Sequence, residues 1–168
     1  MTHIETERKF LIKMPSSEVL SCCDVSEITQ IYAEPEGGCT TDRIRRRIHG
    51  NKTVYTRTRK TRLTDISSTE EEYEISAGEF ELRSKKIKAG TNPIKKSRYI
   101  IPYRDNNFEI DIYPFWDDRA IMEIELEHED DGFELPPGIT VIREVTGLAG
   151  YSNYALSVSV PHDDIKTL

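Results

Sequence analysis

Near the start of the chain, Glu5, Glu7 and Lys9 in IETERKF occupy every second position, with Ile4, Phe10 and Ile12 in the other register. In an extended strand, side chains two apart share a face, so two carboxylates and an ammonium would point the same way. The spacing recurs with nearly one sign per segment. Arg43, Arg45 and Arg47 alternate in DRIRRRI; Thr56, Thr58 and Lys60 in TVYTRTRK; Lys96 and Arg98 in KKSRYII. The acidic counterparts are Glu70, Glu72 and Glu74 in EEEYEIS, Glu109 and Asp111 in NFEIDIY, and Glu123, Glu125 and Glu127 in AIMEIELE.

Carboxylates two residues apart in a strand lie roughly 7 Å from each other. Their repulsion is about 0.6 kcal/mol in water and about 2.4 kcal/mol at an effective dielectric near 20. An ordinary sheet with one wet face tolerates this, but it would be expected to mix signs. Gathered around a lumen, segregated charge needs a counter-charged ligand. A metal-bound polyphosphate supplies both halves: Arg and Lys bind phosphate oxygens directly, and carboxylates reach phosphate through a hard cation such as Mg²⁺. No Walker-type glycine loop and no adjacent Ser/His/Asp pattern is present.

The elements that must position these groups are mostly strands. Eight are expected, over residues 4–12, 42–48, 53–60, 70–76, 95–101, 107–113, 120–127 and 139–145, separated by turn-like HGN, RDNN and EDDG segments. Three helices fit between them, at 15–23, after Ser76 with Glu79 as a capping box, and near 152–160. Arg46, Arg57 and Arg59 fall in the opposite register and read as surface charges. Trp116 reads as a packed loop anchor, and Ser152 and Asn153 as helix caps.

A net charge of −7 argues against a nucleic-acid binder. The distribution is more telling: residues 43–62 hold nine Lys or Arg and no acid, whereas 105–134 hold twelve Asp or Glu and one Arg. No apolar run reaches membrane-span length and the N-terminus is too polar for a signal peptide, so no membrane is expected. Three cysteines without a CxxC pair read as reduced thiols of a cytoplasmic protein.

The ordered series ExExK (5–9), RIR (43–45), YTRTRK (55–60), EEEYEIS (70–76), KKSRY (95–99), FEIDIYPF (108–115), IMEIELE (121–127) and EVTGLAGYSNYAL (144–156) resembles the CYTH superfamily, the triphosphate tunnel metalloenzymes. ExExK alone is a weak signal; the series covers nearly the whole chain. The resemblance implies an α+β, mostly β fold, a closed eight-stranded antiparallel β-barrel forming a tunnel with a few flanking helices, in one domain over 1–168. It implies that Arg43, Arg45, Lys60, Lys96 and Arg98 grip phosphates, with Lys9 nearest the reacting end. Glu5, Glu7, Glu123 and Glu125 would hold one or two Mg²⁺ or Mn²⁺ ions. Glu109 and Asp111 would be partners on the adjacent strand, and Glu70 and Glu72 would bind metal through water or hold the arginines. Tyr32 in QIYAE matches a tyrosine that pairs with the motif lysine, which makes Lys9 and Tyr32 the expected catalytic pair.

The expected function is a divalent-metal-dependent triphosphatase hydrolysing inorganic tripolyphosphate or a related small-molecule triphosphate. The short chain leaves little sequence outside the barrel for a nucleoside or thiamin pocket. A class IV-type adenylate cyclase making cyclic AMP from ATP is the alternative within the superfamily, and a non-catalytic polyphosphate- or nucleotide-binding module is the alternative outside catalysis. Members are often dimers, so a homodimer is also expected by resemblance.

Overall fold

The computed structural model describes residues 6–62, 68–128 and 131–167. Period-2 alternation builds nine strands: β1 (Thr6–Lys13), β2 (Asp24–Ala33), β3 (Thr41–His49), β4 (Lys52–Arg62), β5 (Ser68–Glu74), β6 (Ile94–Tyr103), β7 (Asn106–Ile112), β8 (Arg119–Leu126) and β9 (Val141–Glu144). Every pairing is antiparallel. Three helices, α1 (Ser17–Leu20), α2 (Ala77–Ser84) and α3 (Asn153–Val158), carry Ser16, Ser76 and Ser152 as N-caps, each hydroxyl accepting an amide from the first turn. At α2 only half of the capping box forms, because the Glu79 carboxylate accepts from Arg83 instead.

The closed eight-stranded barrel expected from the resemblance does not form. The strands make one open sheet in the order β5-β4-β3-β2-β6-β7-β8-β1-β9. Its ends have little with which to close: β9 offers four residues and meets β1 with a register shift, while Glu70, Glu71, Glu72 and Glu74 are exposed along β5. A ladder that short supplies few backbone bonds to offset pairing with an acidic edge. The ninth strand is β2, which the sequence did not announce.

The register gathers the predicted charges on one face. Glu72, Thr58, Arg43 and Tyr32 are successive cross-strand partners, as are Glu74, Thr56, Arg45 and Gln30. Farther across, Arg98 pairs with Asp111, Glu109 with Glu123, Glu123 with Lys9, and Glu125 with Glu7. The face is concave. In a flat sheet, β2 and β1, four places apart, would be about 19 Å apart, yet the Lys9 charge on β1 bears on the Tyr32 phenol on β2.

Apolar residues in the alternate register form the supporting layer. Phe10, Ile12, Phe108, Ile110, Met122 and Ile124 pack behind the acidic strands, and Ile31, Ile44 and Phe80 pack α2 behind the basic ones. A third cluster, including Leu11, Tyr113, Trp116 and Leu156, fixes the C-terminal segment against one end of the charged face. Trp116 is the loop anchor expected: it is buried and its Nε1–H donates to the Pro161 carbonyl at 2.9 Å. Arg57 is not a surface charge. It is buried and ion-paired with Asp42, whose Oδ1 accepts from Nε at 2.8 Å.

Candidate functional site

The acidic half is a tightly bonded network. Arg98 on β6 donates to Asp111 (2.7 Å to each oxygen) and to Glu123 Oε2 (2.8 Å), and is ion-paired with Glu109. The fully buried Lys96 is ion-paired with Asp111 and lies 3.5 Å from Asn153 Oδ1, which also accepts from the Tyr113 hydroxyl at 2.9 Å. Lys9 Nζ is 2.8 Å from Glu123 and 3.4 Å from Glu7.

The electrostatics follow from burial set against pairing. Burial favours a protonated Asp111, but Lys96 and Arg98 overcome it and hold the carboxyl down to about 2. Burial, with Arg98 close by, outweighs Asp111 and lowers the Lys96 ammonium. For Lys9, burial is outweighed by Glu123 and Glu7, so its ammonium is raised. Burial and then repulsion from Glu123 raise the Glu7 carboxyl. Burial also raises Glu109, where repulsion from Asp111 and Glu123 helps to overcome Arg98.

The basic half is looser. Arg43 donates to Thr58 Oγ1 (2.8 Å) and Glu72 (3.2 Å), and Thr58 donates to Glu72 at 2.7 Å. Lys60 and Glu70 are 4.0 Å apart and half exposed. Arg45 stands apart: among the described residues its guanidinium has no ion pair, and its buried Nε has no hydrogen-bond partner. Burial and the neighbouring Arg43 charge lower it to about 10. An unpaired, half-buried guanidinium is costly unless an anion completes it.

Of the predicted residues, Lys9, Glu7, Glu109, Asp111, Glu123, Lys96 and Arg98 come together, and Arg43, Arg45, Glu70, Glu72 and Lys60 line the opposite wing of the same face. Glu125 is exposed at the rim beside Glu7. Glu5 lies outside the described residues. Tyr32 is buried, with burial raising its phenol above the usual range; its hydroxyl accepts from Gln30 Nε2 at 2.8 Å and its ring meets Tyr154 edge-on. Lys9 is bonded to carboxylates rather than to Tyr32. Sequence reasoning missed Gln30 altogether and took Asn153 only as a cap. A β-branched run through VSEITQIY was the available signal for the first.

The donor set facing the concavity consists of carboxylate oxygens, and Glu7 and Glu109 are raised by burial and then by repulsion from neighbouring acids, both of which a hard divalent cation would offset. Its chemistry therefore fits such an ion. Among the described residues no three acidic groups yet converge on one point, since Arg98 and Lys9 occupy their oxygens.

No family model and no curated protein matches the chain. Solved structures do. The crystal structure of the inorganic triphosphatase NE1496 is 28% identical with a TM-score of 0.59, over 95% of this chain and 97% of that one. A second crystal structure of NE1496 gives a TM-score of 0.60 at 28% identity, over 94% and 100%. The chain is similar to this inorganic triphosphatase along nearly its whole length, which supports the CYTH superfamily. The PH1012 protein of Pyrococcus horikoshii OT3 is a more distant likeness, at 20% identity and a TM-score of 0.48 over 76% of this chain and 82% of that one, and nothing further rests on it. On the concave face, among the described residues, the unpaired Arg45 lies on β3, while Lys96 and Arg98 of β6 are ion-paired with acids.

Proposed function

We propose that this CYTH chain is a divalent-metal-dependent triphosphatase, with inorganic tripolyphosphate as its preferred substrate and Mg²⁺ or Mn²⁺ as its metal. The observation that carries the reading is Arg45: an unpaired, half-buried guanidinium on a concave face whose other wing is carboxylate. The likeness to NE1496, an inorganic triphosphatase, supports it.

Arg45 and Arg43 would hold phosphate oxygens through charge-assisted bonds, Arg43 exchanging Glu72 for phosphate, with Lys60 adding positive charge at the rim. Glu7, Glu109 and Glu123 would hold the cation, which would shield phosphate charge and polarise a phosphoryl oxygen. Lys9 remains an ammonium, since its acid neighbours raise it, and would donate to an oxygen that gains charge as the phosphoanhydride breaks. Water adds to the end phosphorus, the bridging P–O bond cleaves, pyrophosphate leaves with the electron pair, and the proton lost by the water passes to a phosphate oxygen of the products. The catalysis is positioning and electrostatics.

The test is phosphate release from tripolyphosphate, ATP and thiamin triphosphate with Mg²⁺, Mn²⁺ or EDTA. Metal-dependent release, fastest from tripolyphosphate, is expected. Cyclic AMP with pyrophosphate from ATP, or triphosphate binding without turnover, would overturn it.

A further inference from the structure

One cross-strand row of the concave face is left polar and unsatisfied. Gln30 on β2, Arg45 on β3 and Thr56 on β4 are successive partners in register, so their side chains share the face. Each carries a buried atom without a hydrogen bond: Gln30 Oε1, Arg45 Nε and Thr56 Oγ1. Gln30 is the extreme case, at 0% exposure. A buried polar atom left unpaired costs about 1–3 kcal/mol, and three in one row call for a ligand rather than an accident of packing.

The row also has a direction. The other end of the Gln30 amide is bonded to the Tyr32 hydroxyl. Burial keeps Tyr32 a neutral phenol, which can donate as well as accept. A half-turn of the Gln30 amide exchanges its two ends. The Tyr32 hydroxyl then donates to Oε1, and Nε2–H faces the space beside Arg45. A phosphate on Arg45 would be repelled by an amide carbonyl and held by an amide N–H, so an anionic ligand selects the second orientation.

We propose that Gln30 is a phosphate-positioning residue of this site, donating through Nε2 to a phosphate oxygen held on Arg45, with Tyr32 fixing the amide orientation and Thr56 completing the far side. It rests on the triphosphate reading above, and adds to it a neutral donor between the cations. Tyr32 thereby acts through Gln30 and not on the reacting atoms.

The experiment is tripolyphosphate binding by calorimetry in EDTA, alongside phosphate release with Mg²⁺. Gln30→Leu removes the amide at similar volume and should weaken binding roughly tenfold, as loss of a hydrogen bond to a charged group does, with the melting temperature kept. Gln30→Met is the second variant should leucine not pack. Tyr32→Phe should weaken binding less, and adding it to Gln30→Leu should cost nothing more, because the two act in series. Wild-type affinity in both Gln30 variants, or losses that simply add, overturns the assignment. Hydrolysis by the wild type with an indifferent Gln30 defeats this inference alone. Binding without hydrolysis, lost in Gln30→Leu, defeats the triphosphatase reading alone. A wild type that neither binds tripolyphosphate nor releases phosphate from it with Mg²⁺ defeats both.

Discussion

Arg45 shows how a side chain can be poorly suited to the free protein and well suited to a ligand. Its guanidinium is lowered to about 10 by burial and by Arg43, with no compensating acid bonded to it. Arg45→Met keeps the aliphatic stem and removes the charge. The variant should melt higher than the wild type in buffer, by about 1 kcal/mol or more in unfolding free energy, and bind tripolyphosphate at least tenfold more weakly. Thermal melts and calorimetry read the two effects separately; a variant that is less stable and binds as well would remove Arg45 from the site. Lys96 and Arg98 have the opposite character. They are equally basic in sequence, but Asp111, Glu109 and Glu123 already hold them.

At the scale of the element, β3 and β4 carry different business on their two faces. Toward the concavity are Arg43, Arg45, Thr56 and Thr58; behind them, Arg57 lies across Asp42, whose side chain is fully buried. Breaking that pair with Asp42→Ala leaves the buried Arg57 only a 3.5 Å contact with the exposed Glu36 and a bond to the Tyr73 hydroxyl and should cost about 3 kcal/mol, whereas replacing both partners with apolar residues of similar volume should cost far less. Urea unfolding of the single and double variants decides it, and equal losses would mean that the pair is not what holds the strands. Sequence alternation told which residues share a face, and it was right for β1, β3, β7 and β8. It could not tell whether the second face is wet or packed, which is why Arg57 was read as surface. It failed at β2 for a related cause: Ile31 and Ala33 are buried on one face and Gln30 and Tyr32 on the other, so no polar-apolar rhythm remains to be seen. The strand that holds Gln30 was therefore the least legible in the sheet.

For the molecule as a whole, raised and lowered acids side by side in the acidic wing set the response to pH and metal. Glu7 and Glu109 are raised above the ordinary 4.5. Their contribution to stability is present below 4.5 and is lost as pH rises through their folded values, so near neutrality they destabilise the fold. Asp111, held near 2, acts in reverse: its contribution is present above 3.8 and lost only as pH falls through about 2. A cation held by Glu7 and Glu109, as proposed, would relieve the first pair. The rise in melting temperature on adding Mg²⁺ or Mn²⁺ should therefore be largest near neutral pH and shrink as pH falls towards 4.5; a rise independent of pH would place the metal elsewhere. The charge segregation behind this was readable from residues 43–62 and 105–134. Closure of the sheet was not, because it depends on what the last strands offer each other, and β9 is four residues long.

That open sheet has a bearing on how copies of the chain meet. The outer side of β5 presents backbone amides and carbonyls that a second polypeptide could extend. A copy of β5 laid antiparallel against it in full overlap would set glutamate against glutamate at its central pairs, Glu70 with Glu72 and Glu71 with Glu71, since four of its seven residues, Glu70, Glu71, Glu72 and Glu74, are acidic. Glu72, which steadies Arg43 within one molecule, thus joins its acidic neighbours in keeping other molecules from joining sheet to sheet, and the exposed border stays a border rather than the first rung of a fibril.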